Sequence, residues 1–158
     1  MDKAMGGTGG YLCGRRDLVD FLRIAASSSV LSSALTCAMA GAMIAAIDLI
    51  ETAQERRECL AHKSRYLREG LQRHGLTVLG PDFLPSVPLL VGDEALGVAF
   101  AHGLRERGIF CPVMRWPAVP VGKARLRLSL MARHEQHHLD ALIKACGEVG
   151  RELGVSIG

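Results

Sequence analysis

Aromatic side chains are scarce in this chain, which has one tryptophan, two tyrosines and four phenylalanines among its 158 residues. The net charge is only +3, and no basic block carries interleaved aromatics. Both features argue against nucleic acid as a partner. Charged residues make up 22% of the chain and hydrophobic residues 49%. This composition excludes a disordered chain, and the length allows one domain with a substantial core.

Paired cysteine motifs are also missing. The cysteines are odd in number, stand at long and irregular spacings and form no CxxC pair: Cys13, Cys37, Cys59, Cys111 and Cys146. This pattern predicts neither a zinc site nor a disulfide framework. Reduced, buried thiols in a cytoplasmic protein are the interpretation that it favours.

Charged residues are absent from residues 24–47, a stretch long enough to cross a bilayer. Serines crowd its first half, and alanine, glycine and methionine dominate the rest, which disfavours membrane insertion. A buried helix whose small residues allow close packing is the preferred interpretation, and a small membrane-associated protein is the alternative. The N-terminus does not read as a signal peptide, because Arg15, Arg16 and Asp17 interrupt any apolar region.

Hydrophobic periodicity predicts helices that alternate with strands. Helices are expected over residues 17–24, 37–50, 53–74, 94–107 and 135–153. Strands are expected over residues 76–79, 87–91, 109–114 and 124–131, and a further short strand over residues 11–13. Pro112 limits its strand to an edge or end position, because proline cannot donate to a ladder. The pattern predicts an α/β fold with one sheet and helices packed against it.

Lys3 precedes a run of glycines, MGGTGGYLCG, over residues 5–14. Such a run is typical of a loop in which the backbone must approach something closely. A lysine beside it could present a neutral amine that forms a Schiff base with a carbonyl compound. Spacing alone equally allows a solvated lysine near a chain end.

Arg127 lies on the most regular of the predicted strands. Over residues 124–131 leucines face one way, whereas Arg125, Arg127 and Ser129 face the other. An arginine beside a proline-stiffened loop can hold a carboxylate through two parallel hydrogen bonds. The alternation also fits an arginine on the solvent face of a half-buried strand, with no function.

Hydroxyls and imidazoles form two further candidate groups. Ser32 and Ser33 precede the apolar helix, where they could hold a phosphate or cap the helix. His134 and His138 have the i, i+4 spacing that suits a metal ion, but the order HEQHH does not complete an HExxH motif. We therefore predict no metal site.

Four segments, taken in order, resemble the α-oxoamine synthases. Residues 3–11, KAMGGTGGY, are similar to the segment around the family's cofactor-bearing lysine. Residues 31–35, LSSAL, are similar to its aromatic-Ser-Thr segment. Residues 117–127, PAVPVGKARLR, resemble the family's late proline loop and the Arg-x-Arg strand that follows it. Residues 132–134, ARH, resemble the opening of its last helix. The order and spacing agree across about residues 3–155.

The resemblance implies a pyridoxal-phosphate (PLP) enzyme of fold type I, a transferase of the class I and II aminotransferase superfamily. Such an enzyme condenses an acyl thioester, bound to coenzyme A or to a carrier, with an amino acid and usually releases carbon dioxide. By position, Lys3 would bear the cofactor and move the α-proton, and Arg127 would bind the amino-acid carboxylate. Ser32 or Ser33 would reach the cofactor phosphate of the neighbouring subunit in a homodimer.

The same resemblance implies a division of the chain. Residues 1–36 are expected to be a remnant of the large PLP-binding domain, and residues 37–158 a connecting helix and the C-terminal α/β small domain. The chain is accordingly expected to be incomplete alone and to need a large-domain half. A non-catalytic dimerisation module derived from such an enzyme is the alternative. Arg115 and Trp116 depart from the family's apolar-proline pattern at the substrate pocket, so the acyl donor and amino acid stay open.

Overall fold

The computed structural model describes Met1 and residues 3–155. The chain forms two compact units, Met1–Gln54 and Glu55–Gly158. This division falls after the apolar helix, whereas the domain boundary expected from the sequence lies between residues 36 and 37. The assignment of the two segments to the large and small domains of a parent enzyme stays a prediction.

The first unit contains a glycine-rich loop followed by three helices: α1 (Arg16–Ala25), α2 (Ser27–Val30) and α3 (Cys37–Thr52). Helix α1 confirms the helix expected over residues 17–24, and a side-chain ion pair between Arg16 and Asp20 spans one of its turns at 3.5 Å. The strand expected over residues 11–13 is wrong, because that segment is irregular and the described part of this unit offers it no strand to pair with.

Helix α3 forms where the apolar pattern predicts a helix, but the expectation that it is buried is wrong. Met43 is its one buried residue among those described. Several large apolar side chains of the helix are exposed: Ile44, Ile47, Leu49 and Ile50. The helix is apolar around its whole circumference, and a short loop and two small helices cannot cover it. No single described helix is long and apolar enough to cross a bilayer; α3 and the next helix, Gln54–Arg73, pass that test only as a bent pair.

The second unit is built on a three-stranded antiparallel sheet. Its elements are α4 (Gln54–Arg73), β1 (Ser86–Gly92), α5 (Glu94–Glu106), β2 (Val113–Met114), β3 (Ala124–Ser129) and α6 (Gln136–Glu152). The strand order is β1-β3-β2, so β3 is central. The unit has one sheet with helices packed against it, so the predicted α/β fold class is confirmed.

Side chains along β3 alternate between the core of this unit and a sheet face that no helix covers. Leu126 and Leu128 are buried, whereas Arg127 and Ser129 are exposed, as the period of two predicts. Helix α5 packs on all three strands and on α6. The centre of the core is formed by apolar side chains of α4, α5, α6 and the sheet: Leu67, Leu71, Leu89, Phe100, Leu104, Leu126, Leu139 and Val149.

Strand β2 is shorter than expected. The sequence predicts a strand over residues 109–114, but only Val113 and Met114 pair with β3. Pro112 accepts a hydrogen bond from the backbone N–H of Arg127 at 3.0 Å and cannot donate one in return, which ends the ladder there. The expected edge position is confirmed, since β2 lies at one side of the sheet.

Candidate active site

Lys3 lies on a compact turn at the start of the first unit, and its side chain is exposed. The turn is closed by backbone hydrogen bonds from the N–H of Gly6 to Lys3 O at 3.0 Å and from that of Gly7 to Met1 O at 3.1 Å. The N-terminal ammonium donates to Gly9 O at 2.8 Å. The loop around the candidate lysine is therefore shaped by its own backbone.

Two glycines of this loop have a backbone conformation or a close contact that favours glycine. Gly9 has a φ of +92°, which favours glycine. Gly7 is buried against α3, where an added Cβ would lie 2.8 Å from the Sδ atom of Met39. The glycine run therefore serves close approach, as predicted, and the contact it makes within this unit is with the methionines of α3.

A cleft in the first unit brings the glycine run and the serines together. It has a volume of about 610 Å³, and its wall includes Gly9, Gly10, Ser32 and Ser33. Ser28 and Ser29 lie in the same wall, and the Ser32 hydroxyl donates to the carbonyl oxygen of Ser28. Serine hydroxyls thus share this wall with the glycine run, and hydroxyls are one kind of group that binds a phosphate.

Neither candidate serine caps the apolar helix. The N-cap of α3 is Thr36, whose hydroxyl accepts a hydrogen bond from the backbone N–H of Met39 at 3.3 Å. Ser32 and Ser33 lie upstream, in the irregular segment between α2 and α3. Of the two roles that the sequence left open for them, capping is excluded and phosphate binding stays a prediction.

Arg127 belongs to the second unit, on the uncovered face of the sheet. Its Cα partner on β1 is Pro88, and Arg125, on the same strand, pairs with Met114 on β2. The exposed guanidinium of Arg127 is thus flanked by half-buried apolar side chains. This position suits carboxylate binding and also fits a solvated sheet face, so the role of Arg127 stays a prediction.

The histidine group at the start of α6 makes structural hydrogen bonds. The Nδ1 atoms of His134 and His138 accept the backbone N–H groups of Met131 at 3.2 Å and Glu135 at 3.0 Å. Burial, with smaller effects of His138 and Lys63, lowers the pKa of His134. Among the described residues, no group of three or more His, Cys, Asp or Glu side chains is placed to hold a metal ion.

Sequence reasoning missed a second cavity, of about 470 Å³, between the start of α6 and the segment before β2. His134, His138 and Phe110 line it together with Cys111, whose thiol pKa is raised by burial to about 11. No motif marks these positions, because they come together only when β3 and α6 pack. The raised pKa keeps the Cys111 thiol protonated and weakly reactive at neutral pH.

Comparison with known proteins decides the family. Residues 1–145 match the aminotransferase class I and II family. The chain belongs to this family. The match spans the candidate lysine, the serine segment and the Arg127 strand, so the family predicted from the ordered motifs is confirmed.

Comparison with individual proteins shows which members of the family the chain is similar to. The chain is 39% identical over 155 residues to a putative 8-amino-7-oxononanoate synthase of Acetivibrio thermocellus, which covers 98% of this chain and 40% of that protein. The structure of serine palmitoyltransferase from Sphingomonas wittichii superposes with a TM-score of 0.89 at 26% identity, over 99% of this chain and 39% of that one. A structure of SPT with PLP as internal aldimine superposes with a TM-score of 0.89 over 98% of this chain and 39% of that one, and its 24% identity supports the fold alone. The chain thus spans about 40% of the length of the curated relative.

Proposed function

We propose that this chain forms part of a PLP-dependent acyltransferase that condenses an acyl thioester with an amino acid, usually with loss of carbon dioxide. Similarity to an 8-amino-7-oxononanoate synthase and a serine palmitoyltransferase supports this reaction class. The homodimeric state and the cytoplasmic location expected from the sequence belong to the same proposal. Because the chain spans about 40% of its relative, the proposal concerns the activity of a whole enzyme that includes it.

The observation that carries the proposal is the match of residues 1–145 to the aminotransferase class I and II family, because it spans Lys3, the two serines and Arg127. Serine hydroxyls and glycine N–H groups suit a phosphate, and an exposed primary amine suits an aldehyde. The donor chemistry therefore fits PLP, which when bound supplies an electron sink for the α-carbon of the amino acid.

Three roles follow for residues of this chain. Lys3 holds the cofactor and later moves the proton of the substrate α-carbon through its amine. Ser32 or Ser33 binds the cofactor phosphate of the neighbouring subunit. Arg127 binds the α-carboxylate through paired hydrogen bonds, which orient the amino acid as well as hold it.

A chimera provides the test on a whole enzyme. In it, this chain replaces the matching segment of the Acetivibrio thermocellus relative, and thiol release from an acyl-CoA is measured with and without amino acid. The proposal predicts amino-acid-dependent release. Lys3→Ala should lower the rate by about 10²- to 10⁴-fold, the usual value of a positioned proton-transfer group. Arg127→Lys should raise the KM for the amino acid by about tenfold or more, because a bidentate contact is lost.

Lys144 provides the matched control, since it is an exposed lysine on α6 and is not among the residues that line the described cleft. Lys144→Ala should leave the rate unchanged. A chimera that folds and dimerises but releases no thiol would contradict the catalytic proposal. That outcome would favour the non-catalytic interaction module, for which the exposed apolar side chains of α3 are the supporting observation.

A further inference from the structure

The cavity of about 470 Å³ in the second unit lies where the pairing of β3 with the β2 side of the sheet ends. The N–H of Arg127 donates to Pro112 O at 3.0 Å, and the same register would place Phe110 opposite Ser129. Among the described backbone hydrogen bonds, none joins Phe110 to Ser129. The segment before Pro112 therefore diverges from β3, and both residues of the unmade pair line the cavity.

This divergence leaves the backbone N–H of Ser129 as a donor at the edge of the sheet. The N–H of Leu130 donates to Pro85 O at 2.9 Å, on the β1 side of β3. Successive residues of an antiparallel strand direct their backbone groups to opposite sides, so the N–H of Ser129 points away from β1, toward the β2 side. The described hydrogen bonds give this N–H no acceptor. A sheet-edge donor is thus available to a ligand in the cavity.

Two imidazoles in the wall of the cavity supply further donors. The Nδ1 atom of His134 accepts the N–H of Met131, and that of His138 accepts the N–H of Glu135. A neutral imidazole whose Nδ1 accepts a hydrogen bond carries its proton on Nε2. Burial lowers the pKa of His134, which favours this neutral form. Both rings line the cavity, so each brings an Nε2–H donor to its wall.

Arg107 is the one residue of the described lining with a permanent charge, and its guanidinium is already occupied. It donates to the carboxylate of Glu152 at 2.6 Å and to Gly103 O at 3.0 Å, and a third contact reaches Glu148 at 3.4 Å. The described lining contains no aspartate or glutamate. The unengaged polar groups are thus mainly donors, which favours a ligand group that only accepts. An ionised carboxylate is such a group.

The remainder of the wall is apolar. Leu128, Leu130 and Leu139 form its buried part, whereas Phe110 is 80% exposed at its edge. The volume of about 470 Å³ lies within the range of roughly 300–1,000 Å³ that is common for small-molecule sites. An apolar ligand body in this space would remove the leucines and the phenyl ring from water, which stabilises the complex.

We propose that this cavity binds a monocarboxylate with an apolar body, such as a medium-chain fatty acid. The carboxylate accepts hydrogen bonds from the N–H of Ser129 and from the Nε2–H groups of His134 and His138. The alkyl chain lies against the leucines and Phe110. The cavity shares no lining residue with the cleft of the first unit, so this binding site goes beyond the proposed acyl transfer.

The first test is calorimetric titration of the full chain with octanoate, 1-octanol and acetate. Octanoate should bind saturably, and the other two should bind at least about tenfold more weakly, because octanol lacks the carboxylate and acetate lacks the apolar body. In a ¹⁵N-labelled chain, octanoate should also shift the amide resonance of Ser129. The proposal would be overturned by no saturable binding, by equal binding of octanol, or by an unchanged Ser129 amide.

A substitution that narrows the cavity separates this site from the exposed apolar side chains of the first unit, which could also take up octanoate. Ala141 lines the cavity and is exposed on α6, so Ala141→Trp should fill space there without disturbing the core. It should weaken octanoate binding by about tenfold or more. Ala95→Trp, at an exposed alanine of α5 outside the lining, is the matched control. Equal effects of the two variants would overturn the proposal.

His138→Asn tests the carboxylate contact. The asparagine amide oxygen can still accept the N–H of Glu135 as Nδ1 does, but the side chain has no donor at the position of Nε2. Octanoate binding should weaken by about tenfold, the loss expected for a hydrogen bond to a charged group, and octanol binding should not change. His62→Asn, at an exposed histidine of α4, is the control. Unchanged octanoate affinity of His138→Asn would overturn the proposal.

Circular dichroism checks that each variant is folded. None of these titrations involves PLP, Lys3 or an acyl thioester, so their failure is distinguishable from a failure of the chimera assay.

Discussion

Arg68 on α4 and Arg127 on β3 show how differently two arginines of the second unit are used. Arg68 lies on the buried side of α4 and is only 5% exposed. Its guanidinium donates to the carbonyl oxygens of Leu79 at 2.7 Å, Gly80 at 3.1 Å and Ser86 at 3.2 Å. Burial lowers its pKa, and the carbonyls compensate for the lost water. Arg127 has no such set of carbonyl acceptors among the described hydrogen bonds, which is what a ligand-binding arginine requires.

Arg68→Ala should destabilise the second unit by about 3 kcal/mol, because three carbonyl oxygens lose the donor that links them and a buried side chain is removed. Arg65→Ala, three residues earlier on the same helix and exposed, should change the free energy of unfolding by less than about 0.5 kcal/mol. Urea unfolding followed by circular dichroism measures both. Equal effects of the two substitutions would contradict the structural role of Arg68.

The candidate site residues show how little a single sequence position indicates about function. Lys3, Ser32, Ser33 and Arg127 were found through a resemblance of ordered motifs, because spacing alone allowed a solvated lysine, a helix cap and a solvent-facing arginine. The structure removes the helix-cap alternative for the serines, since Thr36 takes that position.

At the scale of elements, local pattern predicted most of the second unit. The period of two along β3 and the helical stripes of α4, α5 and α6 are properties of neighbouring residues, so their existence follows from the sequence. Gly75, with a φ of +72°, ends α4 where the pattern predicts. The length of β2, and whether residues 11–13 form a strand at all, depend on the strands available for pairing. The local sequence pattern carries no information about those partners.

The contact between α4 and α6 uses a glycine for close approach. A Cβ added at Gly147 would lie 2.7 Å from the Nδ1 atom of His74, so the imidazole would have to move. Gly147→Ala should therefore destabilise the second unit by about 1–3 kcal/mol despite the better helix propensity of alanine.

Lys144→Ala on the same helix is the control for helix propensity, because Lys144 is exposed. It should change the free energy of unfolding by less than about 0.5 kcal/mol. A neutral or stabilising effect of Gly147→Ala in the same urea titration would contradict this prediction. It would show that the His74 imidazole moves at little cost and that the contact between His74 and Gly147 is not tight.

At the scale of the whole molecule, the two units differ in how much of their apolar surface they cover. The second unit encloses a continuous core of leucines and aromatics. The first unit leaves large apolar side chains in solvent, including Phe21, Ile24, Leu31 and Ile44. The sequence predicted that α3 would be buried, which is wrong because an apolar pattern does not by itself supply a surface that packs against the helix.

Exposed apolar surface of this kind should make the chain self-associate. Sedimentation velocity at increasing concentration should show species larger than a monomer, and the double substitution Ile44→Lys and Ile47→Lys should reduce them. Phe110→Lys, an exposed apolar position of the second unit, serves as the control and should have a smaller effect. A chain that stays monomeric throughout the concentration series would contradict this expectation.

The central claim is that Lys3 is the cofactor-bearing residue, and borohydride reduction of the PLP-loaded chimera tests it most directly. The reduced protein is digested, and the labelled peptide is identified by mass spectrometry. The account predicts label concentrated on Lys3 and lost in Lys3→Ala, with Lys63, Lys123 and Lys144 weakly labelled. Label spread evenly over these lysines, or retained in full by Lys3→Ala, would contradict it.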